Sequence, residues 1–214
     1  YMVRNKKATF YFDQGKGHLL WEGLELTSGF GLYASMFAAG FWQDSEHANW
    51  RITKINNRKL MMKGRWQFLP IVLTWEIDLE EETEVNLKIE MEVIEKTMIE
   101  GEQQFNVMLR SEYDRWSAED GSAGNFPGAF NENWVNLFEK ELSRVKTVRA
   151  ESVNSKLPAI SLACKFNNNE YLMSALNTSS LFHSRILKCY KIDKKHYSPG
   201  TYNYFYGRLK IDNS

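Results

Sequence analysis

Acidic side chains, a histidine and two indole rings occur together near the start of the chain. Asp44, Glu46 and His47 lie within a stretch that begins at Trp42 and ends at Trp50. Carboxylates and imidazole form hydrogen bonds with sugar hydroxyls, and an indole can stack on the apolar face of a pyranose ring. The stretch is therefore a candidate carbohydrate site. Because imidazole titrates near neutrality, His47 with Glu46 or Asp44 is also a candidate acid–base pair. The alternative is a solvated loop whose tryptophans belong to the core.

A second group of charged and aromatic side chains leads into a glycine-rich segment that contains Phe126 and Pro127. The group consists of Arg110, Glu112, Tyr113, Asp114, Arg115 and Trp116. A strand end that feeds a long loop can place an arginine and aromatic rings over a cleft. We therefore expect Arg110, Tyr113 and Trp116 to contact sugar. The alternative is that the two aromatic rings pack beneath a helix that begins near residue 134.

Negative charge is concentrated between residues 76 and 102, where eleven acids accompany two lysines. If Glu76, Glu90 and Glu92 converge on one sheet face with Asn106 and Arg110, they could bind hydroxyls, a cationic amino sugar or a hard cation such as calcium. The alternative is a solvated face whose charges oppose edge aggregation. No calcium-binding loop is recognisable and no clustered histidines accompany the two cysteines, so no metal site is predicted.

Composition and missing motifs disfavour several other classes of function. The 27 basic residues balance 27 acidic ones, so the cationic excess that nucleic-acid binding requires is absent. Nucleophile elbows, phosphate-binding loops and zinc-binding H-E-x-x-H motifs do not occur, and no cofactor is predicted. The uncharged segment 26–43 is rich in glycine and hydroxyl residues, which predicts buried strands and no membrane span. Cys164 and Cys189 are predicted to be buried reduced thiols, which with the lack of a signal segment favours the cytoplasm.

The spacing of apolar residues predicts an all-β, mainly antiparallel chain. Alternation is clean over residues 84–94, and further strands are expected at 66–79, 98–110, 181–192 and 201–211. We expect residues 66–79, 84–94 and 98–110 to be three consecutive antiparallel strands. Two hairpins are expected, one joining 50–56 to 59–63 through Asn56 and Asn57, and one joining 159–166 to 171–176 through Asn167, Asn168 and Asn169.

One short helix is predicted over residues 133–146, where apolar side chains recur at spacings of three and four. Ten or more strands exceed one comfortable sheet. We therefore expect a large two-sheet β-sandwich that forms a single domain over residues 1–214.

Several strand-like segments together resemble a known family. These are "WQFLPIVLTWEIDL", "EVNLKIEMEVIE" and "QQFNVMLRSEYDRW", closed by Pro199-Gly200 and "YNYFYGRLKI". The series resembles the galactose-mutarotase-like β-supersandwich, a fold of carbohydrate-active enzymes and of their accessory domains. Residues 64–70 and the Phe126-Pro127 loop are similar to uncharacterised domains associated with bacterial polysaccharide deacetylases and other enzymes that modify surface polysaccharides. Aldose epimerases of this fold use a pair of histidines with a downstream carboxylate, a pattern that is missing here.

The resemblance and the aromatic residues together predict a carbohydrate-binding or accessory domain of a bacterial polysaccharide-biosynthesis or polysaccharide-modifying enzyme, without catalysis of its own. Because the chain begins with Tyr1, we expect a fragment of a longer polypeptide whose catalytic domain would be a partner. After Val135 there are 13 bases and six acids, and this bipolar charge also favours a homo-oligomer. Two alternatives stay open. One is a sugar-active enzyme, epimerase-, lyase- or hydrolase-like, in which His47 acts opposite Glu46, Asp44 or Glu90; the other is a scaffold or oligomerisation domain.

Overall fold

The chain folds almost entirely into β-strands in a computed structural model that describes residues 1–79, 81–166 and 170–212. The first part contains, in chain order, β1 (Met2–Arg4), β2 (Ala8–Asp13), β3 (Lys16–Trp21), β4 (Leu24–Glu25), β5 (Thr27–Ala38), β6 (Phe41–Asp44), a 3₁₀ turn (Ser45–His47), β7 (Ala48–Lys54), β8 (Lys59–Trp66), β9 (Ile71–Asp78) and β10 (Glu84–Val93). The rest contains β11 (Thr97–Ile99), β12 (Glu102–Leu109), β13 (Arg115–Ala118), β14 (Ala123–Asn125), β15 (Val135–Glu141), β16 (Thr147–Glu151), β17 (Ala159–Cys164), β18 (Tyr171–Asn177), β19 (Arg185–Ile192), β20 (Lys195–Tyr197) and β21 (Gly200–Asp212).

Two large antiparallel sheets make up the sandwich. Within the described residues, the first sheet runs β1-β2-β3-β5-β12-β19-β18-β15, with β4 paired to β3 and β6 paired to β5. The second sheet runs β14-β13-β16-β17-β21-β10-β9-β8-β7, and β11 pairs with β20 in a small separate ribbon. The predicted two-sheet β-sandwich is thus confirmed, as is the hairpin of β7 and β8 around Asn56 and Asn57.

The core lies between the sheets and is formed by every second side chain of the long strands. Along β10 the inward residues are fully or almost fully buried, whereas Lys88 and Glu90 face outward and pair at 2.8 Å. Aromatic rings from both sheets meet at the centre, where Phe105 of β12 stacks on Phe205 of β21 with ring centroids 4.1 Å apart. Such a core fixes which side chains each sheet can present on its outer face.

The helix predicted over residues 133–146 is wrong, because this segment contains the edge strand β15, which pairs with β18. The register shifts between Asn136 and Phe138, which marks a β-bulge. A bulge interrupts the strict alternation of apolar and polar residues in a strand. As a result, Leu137 and Phe138 follow Trp134 at the spacings of three and four that are typical of a helix. The structure contains no α-helix among the described residues, and none of its helical segments is long and apolar enough to cross a membrane.

The second predicted hairpin is also wrong, because β17 and β18 belong to different sheets. β17 pairs with β16 and β21, whereas β18 pairs with β15 and β19. The three asparagines at 167–169 lie outside the described residues. The segment 66–79 is divided between β8 and β9, and only β9 and β10 of the three expected consecutive strands are paired, because β12 lies in the first sheet. Cys164 and Cys189 are both free and buried, as expected.

Candidate functional site

A cavity of about 410 Å³ lies on the outer face of the first sheet, and we call it the aromatic cavity. Its aromatic lining consists of Phe30, Tyr33, Trp42, Trp134 and Phe182. Its polar lining consists of Ser35, Asp44, Glu102, Gln104 and Lys188. Strands β5, β6, β12 and β19 supply most of these side chains, and the segments before β15 and before β19 supply the others. The cavity therefore combines apolar ring surfaces with hydrogen-bonding groups of both signs.

Strand register brings the polar lining together. Gln104 of β12 is the partner of Ser35 on one side and of Tyr190 on the other. The neighbouring Phe105 points into the core, so Glu102 and Gln104 share the outer face with the polar side of β19. The site is thus a product of alternation in three adjacent strands that are far apart in sequence.

A bulge in β5 places Phe30 on this face. The pairing of β5 with β12 shifts register at this point, and Gly29 and Gly31 adopt φ values of +55° and +60°. A Cβ atom on Gly31 would lie 2.0 Å from the Gly17 carbonyl oxygen, so the position requires glycine for space as well as for backbone conformation. Phe30 then contacts Tyr33 and Phe182 at centroid distances of 5.3 and 5.4 Å.

Two indole rings at the cavity stay accessible. Trp42 is 43% exposed and Trp134 is 39% exposed. Trp134 also contacts the ring of Phe182 edge-on at 5.6 Å, and Trp42 contacts Phe37 at 5.6 Å. Each indole therefore packs on one aromatic partner and leaves other surface for a ligand.

The cavity lining includes a charge pair in which the lysine is buried and the carboxylate is partly exposed. The Lys188 ammonium lies 3.1 Å from a Glu102 carboxylate oxygen and 3.7 Å from the centroid of the Tyr190 ring. Burial lowers the pKa of Lys188, and the Glu102 carboxylate opposes that change. The Tyr190 hydroxyl donates to Glu139, which also accepts a hydrogen bond of 2.8 Å from the Asn136 amide. These contacts hold Lys188 and its neighbours in one arrangement.

Asp44 ends β6 and brings a second carboxylate to the cavity. Burial raises the pKa of Asp44, although a hydrogen bond with Ser35 and the charge of His47 act in the opposite direction. Its main-chain oxygen accepts a hydrogen bond of 2.9 Å from the Trp66 indole, which anchors the end of β6 on the second sheet. The carboxylate is thus fixed in a partly desolvated position.

The structure divides the first predicted group. Trp42 and Asp44 line the aromatic cavity, but Trp50 packs against the core, where its ring contacts Phe12 at 4.8 Å and its indole nitrogen donates to the Ser45 carbonyl. His47 is half-exposed in the 3₁₀ turn and is not among the residues that line the cavity. Its Nε2 lies 3.8 Å from Glu46, whose carboxylate also pairs with Lys16 at 2.6 Å.

Of the second predicted group, only the two aromatic residues lie in the interior, whereas Arg110, Glu112, Asp114 and Arg115 are partly or fully exposed. Tyr113 is fully buried and donates a hydrogen bond of 3.0 Å to the Pro158 carbonyl. Trp116 is only 9% exposed and packs against Phe138 at 5.1 Å. Arg110 forms a surface ion pair with the neighbouring Glu112. Tyr113 and Trp116 therefore have packing roles, beside a strand and not beneath a helix.

Glu76, Glu90 and Glu92 share the outer face of the second sheet, where Glu76 is the register partner of Lys88, but Asn106 and Arg110 do not join them. Glu90 and Glu92 are on β10 and face outward from the second sheet, whereas Asn106 lies on β12 of the first sheet. Glu90 pairs with Lys88 at 2.8 Å on the outer face of the second sheet, whereas His47 lies in the turn that precedes β7, the edge strand of that sheet. Among the described residues, no group of three or more histidines, cysteines or acids is placed to hold a metal ion.

Sequence reasoning missed seven cavity residues, namely Phe30, Tyr33, Ser35, Glu102, Gln104, Phe182 and Lys188, and it placed Trp134 on a helix. One signal was present in β12, where Glu102, Gln104 and Asn106 put a polar side chain at every second position of a buried strand. Lys188 gives a similar signal, since it is a charged residue between Leu187 and Cys189 in the buried strand β19. Polar residues that alternate along a buried strand indicate a shielded polar face.

Solved structures of similar shape cover the whole chain. One is named "Putative aldose 1-epimerase", from Escherichia coli K12, with a TM-score of 0.70, 9% identity and coverage of 100% of this chain and 99% of that one. A protein from Synechocystis sp. PCC 6803 has a TM-score of 0.67 at 8% identity, covering 100% of this chain and 96% of its own. The heparan sulfate lyase HepC of Pedobacter heparinus has a TM-score of 0.54 at 9% identity, covering 98% of this chain and 34% of the lyase.

The fold is that of aldose 1-epimerase-like proteins. This agrees with the fold that the resemblance implied. No protein-family model and no curated protein sequence matches the chain. At such low identities the likeness establishes the fold alone, so any function has to be argued from the site.

Proposed function

We propose that the chain is a carbohydrate-binding domain that holds a sugar ring in the aromatic cavity. The observation that carries this proposal is the presence of two half-exposed indoles, Trp42 and Trp134, in the same cavity as carboxylate, amide and ammonium groups. Indole faces pack on the C–H face of a pyranose, and the polar groups bind its hydroxyls. The fold similarity to proteins named for sugar chemistry supports the same class of ligand.

Binding without catalysis is the better-supported form of this function. The histidine pair expected of aldose epimerases is absent from the cavity lining, and His47 is not one of the lining residues. Lys188 is already paired with Glu102 at 3.1 Å, and the ammonium and the carboxylate can still donate to and accept from a sugar hydroxyl. An accessory domain of a polysaccharide-modifying enzyme, such as a deacetylase, fits this role, with a catalytic domain as its partner. Location in the cytoplasm stays a prediction from the sequence.

A sugar-active enzyme is the second candidate, and one observation favours it. Burial raises the pKa of Asp44 and lowers the pKa of Lys188, so burial favours the uncharged form of both side chains. Opposed shifts of this kind are typical of acid–base pairs. Proton NMR of the interconversion of glucose anomers tests this activity directly. Acceleration by the wild-type domain that Asp44→Asn abolishes would establish an epimerase-like enzyme.

The binding proposal is tested by titrating neutral, acidic and amino oligosaccharides into the domain and following intrinsic tryptophan fluorescence and heat. We expect saturable binding of at least one class of oligosaccharide. Trp42→Ala and Trp134→Ala should each lower its affinity about tenfold, since stacking of a ligand ring on an aromatic side chain contributes roughly 1–3 kcal/mol. Tyr206→Ala is the matched control, because Tyr206 is also 43% exposed but lies on the second sheet.

Two results would reject the proposal. The first is the absence of binding across the whole panel by calorimetry. The second is binding that Tyr206→Ala weakens as much as the cavity variants do, which would place the ligand elsewhere. A stable dimer in light scattering combined with the first result would favour a scaffold domain.

A further inference from the structure

The aromatic cavity contains more negative than positive side-chain charge. Its titratable groups at neutral pH are the carboxylates of Asp44 and Glu102 and the ammonium of Lys188. Glu102 already neutralises Lys188 at 3.1 Å, and Glu139 adds a further negative charge behind Tyr190. In contrast, none of the ion pairs formed by the described residues includes Asp44. The cavity therefore keeps one carboxylate that no ion pair neutralises, although the charge of the half-exposed His47 acts on it from outside the lining.

The surroundings of Asp44 are those that bind an ammonium group. Five aromatic rings line the same cavity, and the faces of such rings attract cations. An ammonium already lies over one of them, since the Lys16 nitrogen is 4.9 Å from the centroid of Phe30. Lys16 is itself held by Glu46 at 2.6 Å, so it does not neutralise Asp44. A carboxylate beside several ring faces is the usual combination for recognition of alkylammonium ligands.

Desolvation makes this preference selective. Burial disfavours the charged form of Asp44, which is why its pKa is raised. A ligand ammonium would offset that penalty, whereas an acetamido or hydroxyl group at the same position would leave the carboxylate without a counter-charge. Partial burial therefore turns one unpaired acid into a means of distinguishing ligands.

We propose that the sugar held in the aromatic cavity carries a free, unacetylated amino group, and that Asp44 binds its ammonium among the aromatic rings. This inference rests on the proposed carbohydrate-binding function and specifies its ligand as an amino sugar, such as a deacetylated hexosamine oligosaccharide. Trp42 and Trp134 would hold the ring, and Asp44 would select the amine.

The test compares three trisaccharides that share one β-1,4-linked backbone and differ only at C2: the glucosamine trimer, the N-acetylglucosamine trimer and cellotriose. Affinities are measured by calorimetry at about pH 6, where a typical amine is protonated. We expect the glucosamine trimer to bind about tenfold more tightly than the other two, the range expected for a partly desolvated ammonium against aromatic rings. Asp44→Asn, which keeps the shape of the side chain, should reduce its affinity to that of cellotriose.

Glu92→Gln is the matched control, because it removes one carboxylate from the outer face of the second sheet and should leave the preference unchanged. Far-ultraviolet circular dichroism confirms that each variant is folded. If Asp44→Asn fails to fold, competition of methylammonium against the glucosamine trimer on wild-type protein tests the same ammonium site.

The outcomes separate this inference from the function on which it rests. Equal binding of all three trisaccharides would overturn the amino-sugar inference and leave carbohydrate binding intact. Retention of the preference by Asp44→Asn would also overturn it, since the selecting group would be another one. Failure of all three to bind, with failure of the wider panel, would reject both.

Discussion

Trp42 and Trp50 flank the same short stretch of sequence, yet the structure gives them different roles that two alanine variants can distinguish. Trp50 packs edge-on against Phe12 at 4.8 Å and Trp75 at 5.8 Å, and its indole nitrogen donates to Ser45 at 2.8 Å. Among the described residues Trp42 contacts one aromatic ring, that of Phe37, and it is 43% exposed. We expect Trp50→Ala to destabilise the fold and Trp42→Ala to weaken sugar binding.

The expected size follows from what each ring contacts. Replacing a fully buried aromatic residue by alanine costs about 3–5 kcal/mol, and Trp50 is partly exposed, so we expect a loss of about 2–4 kcal/mol. For a chain of this length each kcal/mol lowers Tm by about 2–4 °C, which gives a decrease of roughly 4–16 °C. Trp42→Ala removes a largely exposed ring and should cost less than about 1 kcal/mol.

Urea unfolding followed by far-ultraviolet circular dichroism measures both variants without depending on indole emission. Trp50→Phe serves as the control, because it keeps an aromatic ring against Phe12 and should recover most of the stability. The reasoning would be refuted if Trp50→Ala unfolded at the wild-type urea concentration and lost oligosaccharide binding, since Trp50 would then belong to the site.

Three further variants test other parts of the structure. Burial raises the pKa of Asp44, so the ionised carboxylate opposes folding above that pKa, and the free energy of unfolding increases as the pH falls through it. We expect Asp44→Asn to raise the free energy of unfolding at pH 7 and to remove this increase at lower pH. Urea titrations at several pH values measure both effects. Tyr113→Phe removes the hydrogen bond to the Pro158 carbonyl and should cost about 1–3 kcal/mol in thermal unfolding while leaving oligosaccharide affinity unchanged; loss of affinity would return Tyr113 to the binding site. Gly31→Ala should lower stability by more than about 1 kcal/mol, because its Cβ would lie 2.0 Å from the Gly17 carbonyl oxygen at a positive φ; wild-type stability would show that the β5 bulge can relax.

Local periodicity predicted the sandwich but not the sheet to which each strand belongs. The alternation of β10 and the turn residues of the β7–β8 hairpin are properties of neighbouring residues, so the sequence was enough to predict both. In contrast, the chain passes from β17 in the second sheet to β18 in the first, and two adjacent strand patterns look the same whether they pair or not. The bulge in β15 had a similar effect, since one extra residue makes a strand imitate a helix.

Only a small part of the candidate site was predictable, for the same reason. Trp42 and Asp44 were found because they are close in sequence and chemically conspicuous. Glu102 and Lys188 are 86 residues apart and meet only because β12 and β19 are neighbours in the first sheet. The sequence shows that both residues are charged, but the strand register that brings them together is a property of the assembled sheet.

The two outer faces of the sandwich differ in how deeply they bury polar side chains. Polar residues of β10 on the second sheet are half-exposed, as with Lys88 and Glu90, and water stabilises them at little cost. On β12 of the first sheet, Glu102 is partly exposed but Gln104 and Asn106 are buried, and the amide of Asn106 has no hydrogen-bond partner among the described residues. Burying a polar group without a hydrogen-bond partner costs stability. Asn106 is the register partner of Tyr33 and Lys188, which line the aromatic cavity, so this unpaired amide lies beside the proposed amino-sugar site.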